Sequence, residues 1–233
     1  DGGHREVLIR VNSLATVWSI DDFAAVAASH AAGIVVPKVD SAREAEEAVA
    51  RSHGKPVWAM IETPRAIFDA ADIAATEGVT ALLAGMADLT KDLRAKPTPD
   101  RLALVFALST IVMAARAAEI QAFDGVFTDI ADEAGLAAEA LQGAQFGFDG
   151  KTLIHPSQIA TANRLFAPDA AEIDHARGLI AAFEAGQAAG KGVTTFGGKM
   201  IELLHVGVAR RTLVVADAIA GRVGAARASG GQA

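Results

Sequence analysis

Six short apolar segments alternate with helix-like segments up to about residue 156, and this alternation limits the possible folds more than any other feature. The segments are rich in Val, Ile, Leu and Phe, and each ends in polar residues. Regular strand–helix alternation is typical of a parallel sheet covered by helices, with functional groups at the carboxyl ends of the strands. We therefore predict an α/β fold, a TIM (β/α)8-type barrel with six βα units present, from strands over 6–12, 33–39, 56–64, 79–85, 123–129 and 151–156.

A closed barrel of this type needs two more strands. We expect either an open sheet or a barrel whose first two βα units are missing from this chain. The predicted domains are a catalytic partial barrel over 1–166, a C-terminal helical extension over 167–223 and a disordered tail over 224–233. The extension is predicted to contain helices over 172–189 and 200–220, joined by a flexible glycine-containing loop over 190–198.

Two carboxylates, Glu62 and Asp88, lie at the ends of consecutive predicted strands. The carboxyl ends of neighbouring parallel strands meet at one edge of a sheet, which is where ligands of such sheets bind. Converging carboxylates suit a hard divalent ion such as Mg²⁺, which takes oxygen ligands and keeps positions open for substrate. The alternative is that each acid only caps the helix behind it.

Charge and cysteine content argue against several classes of function. The 233 residues carry a net charge of −7 without a basic block, which argues against nucleic acid and membrane partners. No apolar run reaches the roughly 20 residues that span a bilayer. The chain has no cysteine, so neither a disulfide nor a thiolate nucleophile is available, which fits a cytoplasmic enzyme.

Six short motifs resemble those of the citrate lyase β-subunit-like branch of the HpcH/HpaI aldolase superfamily, which includes malyl-CoA and citramalyl-CoA lyases. In chain order they are Ile-Arg-Val-Asn (9–12), Val-Pro-Lys-Val (36–39), Met-Ile-Glu-Thr-Pro (60–64), Gly-Met-Ala-Asp-Leu (85–89), Gly-Val-Phe-Thr-Asp (125–129) and Phe-Asp-Gly-Lys-Thr-Leu-Ile-His-Pro (148–156). The resemblance implies an eight-stranded barrel, Mg²⁺ with Mn²⁺ as a substitute, acyl-CoA substrates and a homo-trimer or hexamer. It also implies that Glu62 and Asp88 are the metal ligands and that Arg10 contacts the substrate carbonyl.

A seventh segment, Gly-Lys-Met-Ile-Glu over 198–202, resembles a family segment that ends in aspartate and reaches into a neighbouring subunit's site. Glu202 keeps the charge of that aspartate but is one methylene longer. We expect Glu202 to act as a general acid or base in a neighbouring subunit. Two lysines also follow strands at the predicted edge: Lys38 either pairs with the ligand carboxylates or is solvated, and Lys151 is a candidate for CoA phosphates.

The predicted function is a Mg²⁺-dependent carbon–carbon lyase that cleaves a 3-hydroxy-3-carboxyl acyl-CoA, such as malyl-CoA or citramalyl-CoA, to a shorter acyl-CoA and glyoxylate or pyruvate. The metal would acidify the substrate hydroxyl, and Arg10 would stabilise the enolate or the departing carbonyl. Backbone N–H groups of Gly85, Met86 and Ala87 would hold the substrate carboxylate. The alternatives are a citrate lyase β subunit acting on a citryl thioester, a class II aldolase acting on free 2-oxo acids, and a non-catalytic metal- or CoA-binding subunit.

Overall fold

The computed structural model describes residues 5–190 and 192–230, with side chains described up to residue 222. These residues form two compact units, the first ending at Phe166 and the second beginning at Ala167. The first unit is an α/β layer structure, and the second combines two helices with a β-hairpin. No helix in the described part of the chain is long and apolar enough to cross a bilayer.

The first unit is built around a parallel sheet whose six strands follow one another in chain order. The strands are β1 (Leu8–Arg10), β2 (Gly33–Val36), β3 (Val57–Ile61), β4 (Val79–Ala84), β5 (Gln121–Asp124) and β6 (Gly150–Lys151). All neighbouring pairs are parallel. Sequential order, parallel pairing and helical connections define the curled sheet of a TIM-type barrel, so the predicted fold class with six βα units is confirmed.

Helices connect these strands and cover one face of the sheet. They are α1 (Ser19–Ala28), α2 (Ala42–Arg51), α3 (Pro64–Phe68), α4 (Ala70–Ala75), α5 (Met86–Asp92), α6 (Val105–Ala117), α7 (Glu133–Phe146) and α8 (Ile159–Phe166). The local sequence explains several of their ends. The Ser41 hydroxyl caps α2 and the Thr63 hydroxyl caps α3, each by accepting a backbone N–H of the first turn. Gly147 ends α7 in a left-handed conformation that most side chains disfavour.

The alternation of side chains along β3 shows where the core lies. Val57, Ala59 and Ile61 are fully buried among the helices. Trp58 lies between them in the chain and therefore points to the other face of the sheet. There its ring stacks on that of Phe123 from β5, with the ring centroids 4.7 Å apart.

One predicted strand has different bounds in the structure. The segment predicted as strand over 123–129 is strand only as far as Asp124, and β5 begins earlier, at Gln121. The Asp124 carboxylate accepts the N–H of Gly125 at 2.8 Å, which removes that donor from the sheet ladder. Thr128 and Asp129 consequently lie in the loop before α7.

The second unit contains α9 (Ala170–Ala188), the antiparallel strands β7 (Thr194–Phe196) and β8 (Lys199–Ile201), and α10 (Leu203–Gly230). The prediction of a flexible loop over 190–198 is wrong for the part that forms the hairpin. Gly197 and Gly198 have φ values of 56° and 77°, as a two-residue hairpin turn requires, so these glycines specify a turn. The predicted tail over 224–233 lies partly outside the described residues; the backbone of α10 is described to Gly230.

Candidate active site

Four charged residues lie at or just after the ends of the first four strands, at the carboxyl edge of the sheet. Arg10 is the last residue of β1, Lys38 lies in the turn after β2, and Glu62 directly follows β3. Asp88 lies in the first turn of α5, after β4. Because these strands are consecutive neighbours in a parallel sheet, the structure brings together Arg10, Glu62 and Asp88, as the sequence predicts, with Lys38 beside them.

Glu62 occupies the most enclosed position of this group, with 5% of its surface exposed. Its Oε1 accepts the backbone N–H of Lys38 at 2.9 Å. On its other side lies Gly85, whose own N–H is donated to the carbonyl of Ile61 at 2.9 Å. A Cβ at Gly85 would lie 2.8 Å from Glu62 Oε2, so only glycine lets the turn between β4 and α5 approach this carboxylate.

The pKa of Glu62 reflects this enclosure. Burial raises the pKa of Glu62, and the negative charge of Asp88 raises it further. The hydrogen bond from Lys38, and then the positive charges of Lys38 and Arg10, act in the opposite direction. A buried carboxylate next to a second carboxylate is unfavourable without a counter-ion, and a divalent cation would supply one.

Glu62 and Asp88 offer two carboxylates as ligands for a metal ion. The side chain of Asp88 is 39% exposed, and its nearest cation is the Nζ of Lys91 at 3.5 Å. Within the described residues, no three His, Cys, Asp or Glu side chains form a larger metal-binding group. An ion held by Glu62 and Asp88 would complete its shell with water and substrate, as Mg²⁺ and Mn²⁺ do when bound to few protein ligands. The donor set therefore fits a divalent ion of this kind.

The start of α5 forms one wall of a cavity of about 300 Å³. Met86 and Ala87 line this cavity, together with Thr128 and the buried Arg101. The N–H groups of Met86 and Ala87 belong to the first turn of a helix, where backbone donors have no acceptor within the helix. The N–H of Gly85 is already bonded, so Gly85 would serve the predicted substrate site by allowing close approach rather than by donating.

A largely buried group of charges, partly in the wall of this cavity, was not predicted from the sequence. Asp124 is fully buried and accepts Arg101 Nη1 at 2.8 Å and Lys151 Nζ at 3.1 Å. Lys151 also pairs with Glu139 at 2.6 Å, and the Lys151 side chain has no exposed surface. The idea that Lys151 meets a CoA phosphate is therefore wrong, because its ammonium group is already bonded inside the protein.

Glu202 belongs to the second unit, where it lies between β8 and α10. Its side chain is exposed, and its N–H donates to the Nδ1 of His205 at 3.0 Å. The hairpin thus presents Glu202 at the start of a long helix. The predicted role of Glu202 in a neighbouring subunit stays a prediction.

Residues 1–156 match the HpcH/HpaI aldolase/citrate lyase family, to which the chain therefore belongs. It is 44% identical over 220 residues to a (3S)-malyl-CoA thioesterase of Cereibacter sphaeroides, with 94% of this chain and 77% of the relative covered. It is 39% identical over 209 residues to the citrate lyase subunit beta of Escherichia coli K12, with 84% and 69% covered. The chain is therefore an enzyme related to citrate lyase β subunits, which confirms the family resemblance.

Solved structures agree with this assignment. The CitE protein of Mycobacterium tuberculosis, in complex with magnesium, acetoacetate and coenzyme A, has a TM-score of 0.77 and 29% identity, covering 90% of this chain and 78% of CitE. A citrate lyase from Burkholderia xenovorans has a TM-score of 0.81 and 25% identity, covering 91% and 72%. These structures share the TIM-type architecture of the first unit.

Proposed function

We propose that this protein is a divalent-metal-dependent enzyme that acts on a 3-hydroxy-3-carboxyl acyl-CoA such as malyl-CoA and cleaves its carbon–carbon bond. The observation that carries this proposal is the buried Glu62 carboxylate beside Asp88 at the carboxyl edge of the sheet. Support comes from the CitE protein, whose solved structure contains both magnesium and coenzyme A. We propose Mg²⁺ as the resident ion and Mn²⁺ as its substitute.

Each residue of the site has a role in the proposed reaction. Glu62 and Asp88 would hold the ion, which when bound supplies Lewis-acid chemistry to the substrate hydroxyl and carboxylate. Arg10 would stabilise the oxygen that gains charge, through a fixed positive charge and a planar fork of donors. The first-turn N–H groups of Met86 and Ala87, beside Gly85, would orient the substrate carboxylate.

The bond changes in the proposed cleavage of malyl-CoA balance without a further reactant. The hydroxyl loses its proton and becomes the aldehyde of glyoxylate as the bond between the hydroxyl carbon and the α-carbon of the thioester breaks. The electron pair of that bond moves into the thioester enolate. Protonation of the enolate gives acetyl-CoA. We propose Glu202 of a neighbouring subunit in a homo-trimer or hexamer as the group that exchanges one of these protons.

Hydrolysis of the same substrate is a second candidate function, favoured by the 44% identity to proteins named (3S)-malyl-CoA thioesterase. In that reaction water adds to the thioester carbonyl, the carbon–sulfur bond breaks, and the products are malate and free CoA. The same metal and Arg10 would polarise the thioester oxygen instead of the hydroxyl. The two candidates share the substrate and differ in the bond that breaks.

Product analysis separates the two reactions. The protein is incubated with malyl-CoA and Mg²⁺, while glyoxylate is measured as its phenylhydrazone and free CoA thiol with a thiol reagent. Carbon–carbon cleavage releases glyoxylate without thiol, and thioester hydrolysis releases thiol without glyoxylate. If neither product forms above the rate without protein, malyl-CoA is not a substrate and the proposal is wrong.

Site variants test whether the activity belongs to this edge of the sheet. Glu62→Gln and Asp88→Asn should each lower kcat by orders of magnitude, because each removes a charged metal ligand. Glu77→Gln is a matched control, since Glu77 is exposed and precedes β4 at the opposite end of the strand. Activity that survives in both site variants would place the reaction elsewhere.

A further inference from the structure

The backbone of Lys38 adopts a conformation that its residue type disfavours. Its φ angle is 54°, in the left-handed region, where an L side chain is strained and glycine or asparagine is more usual. Lys38 follows β2 by two residues, in the turn that leads towards α2. A strained residue persists only where the surrounding structure holds it, and such residues cluster at functional sites.

This left-handed conformation directs the Lys38 N–H towards the candidate metal site. The N–H donates to Oε1 of Glu62 at 2.9 Å, and this bond links the turn after β2 to the end of β3. One lone pair of Oε1 is thereby engaged, whereas Oε2 lies beside Gly85, which directly precedes α5.

Contacts on the following residues hold the turn in this shape. Val39 is fully buried. The N–H of Asp40 donates to the Glu44 carboxylate at 2.7 Å, and the Asp40 carboxylate accepts the hydroxyl of Thr63. Thr63 is the residue after Glu62. The turn after β2 is therefore hydrogen-bonded to the end of β3 twice, through the Lys38 N–H to Glu62 and through Asp40 to Thr63.

We propose that Lys38 is a positioning residue whose main-chain N–H fixes Oε1 of Glu62 and leaves Oε2 as the oxygen for the divalent ion. This inference rests on the proposed function, because it concerns the metal site described there. It assigns the effect to the backbone of Lys38 and not to its ammonium group. Hydrogen bonds that orient metal ligands typically change metal affinity by about 10–100-fold when they are lost.

Two uncharged variants isolate the backbone effect. Lys38→Gly and Lys38→Val both remove the ammonium group, but glycine adopts φ 54° readily whereas β-branched valine strongly disfavours it. Mn²⁺ affinity is measured by electron paramagnetic resonance of free and bound Mn²⁺, without substrate. We expect Lys38→Gly to bind Mn²⁺ within about twofold of the wild-type affinity and Lys38→Val to bind at least about tenfold more weakly. Lys38→Asn, which tolerates the left-handed region, should behave as Lys38→Gly does.

A matched variant at His53 controls for strain alone. His53 is exposed, has a φ angle of 52° and lies in the turn after α2. His53→Val should lower the melting temperature as Lys38→Val does, yet leave Mn²⁺ affinity unchanged. Should Lys38→Val fail to fold, Lys38→Ala replaces it, because alanine disfavours the same conformation less severely and should give an intermediate affinity.

The outcomes separate this inference from the proposed function. Wild-type Mn²⁺ affinity in both Lys38→Gly and Lys38→Val would overturn the backbone role while leaving the metal site intact. A loss in Lys38→Gly as large as that in Lys38→Val would assign the effect to the ammonium group and overturn the inference as well. A wild-type protein that binds no Mn²⁺ would overturn the proposed metal site and this inference together.

Discussion

Gly85→Ala should damage the proposed metal site through a single added methyl group. The backbone at Gly85 has a φ of −95°, which alanine tolerates, so the substitution introduces no conformational strain. The effect comes only from the space that the methyl group would occupy. That space is filled by Glu62, whose carboxylate is the more buried of the two proposed metal ligands.

The size of the effect follows from the distances around Gly85. The new Cβ would lie 2.8 Å from Glu62 Oε2 and 3.3 Å from its Cα, and closer still to its Cβ, whereas ordinary contacts measure about 3.4–4 Å. Either Glu62 or the turn before α5 must move. Overpacking of this kind typically costs about 1–3 kcal/mol. If half to all of that energy, about 0.5 to 3 kcal/mol, opposes the bound geometry of Glu62, Mn²⁺ affinity falls by roughly twofold to 140-fold, at 1.4 kcal/mol per factor of ten.

The assay pairs Mn²⁺ titration with thermal unfolding of the metal-free protein. Gly33→Ala is the matched control, because a Cβ there would lie 2.9 Å from the carbonyl of Pro56 at the amino end of the sheet. Both variants should lose stability, but only Gly85→Ala should lose Mn²⁺ affinity. Wild-type affinity in a folded Gly85→Ala protein would refute the reasoning, since the methyl group would then fit without moving Glu62.

Three further predictions concern single carboxylates. The pKa of Glu62 is raised above its ordinary 4.5, so the folded state binds this proton more tightly than the unfolded state does. The free energy of unfolding of the metal-free protein should therefore fall as the pH rises through and above 4.5. Glu62→Gln should flatten that decline in melts with chelator present, and an identical decline in the variant would contradict the assignment. Asp124→Asn should lower the free energy of unfolding by about 3–5 kcal/mol in urea titrations, because it leaves Arg101 and Lys151 buried without their shared carboxylate. A loss under about 1 kcal/mol would show that the two ion pairs contribute little to stability. Mixing inactive Glu62→Gln and Glu202→Gln proteins should restore part of the activity if subunits share a site, whereas full activity of Glu202→Gln alone would remove its catalytic role.

The sheet could be predicted from the sequence because its signal is local. The apolar segments that became β2, β3 and β4 lie within a few residues of their predicted bounds, since buried parallel strands read as nearly continuous apolar runs. The bounds of β5 were harder to predict. They depend on whether the N–H of Gly125 bonds to the sheet or to the Asp124 side chain, and a sequence does not reveal that choice.

The candidate site shows the same division between local and long-range information. Glu62 and Asp88 could be singled out because polar residues at the ends of buried strands are conspicuous in a sequence. The pairing of Asp124 with Arg101 and Lys151 joins residues 23 and 27 positions apart, and no local pattern marks it. The hydrogen bond from Lys38 to Glu62 could not be predicted from the sequence either, because it depends on a backbone angle rather than on a side chain.

The packing of the hairpin against α9 restricts the motion of the Glu202 backbone. A Cβ at Gly186 would lie 2.8 Å from Cγ2 of Thr194, so α9 and β7 touch backbone to side chain with no room to slide. β8 is paired to β7, and Glu202 follows β8 directly. The backbone of Glu202 is therefore tied to α9 through the hairpin. A displacement of the Glu202 carboxylate beyond the reach of its own side chain should therefore be a collective motion on the microsecond-to-millisecond scale, whereas its exposed side chain reorients within picoseconds to nanoseconds.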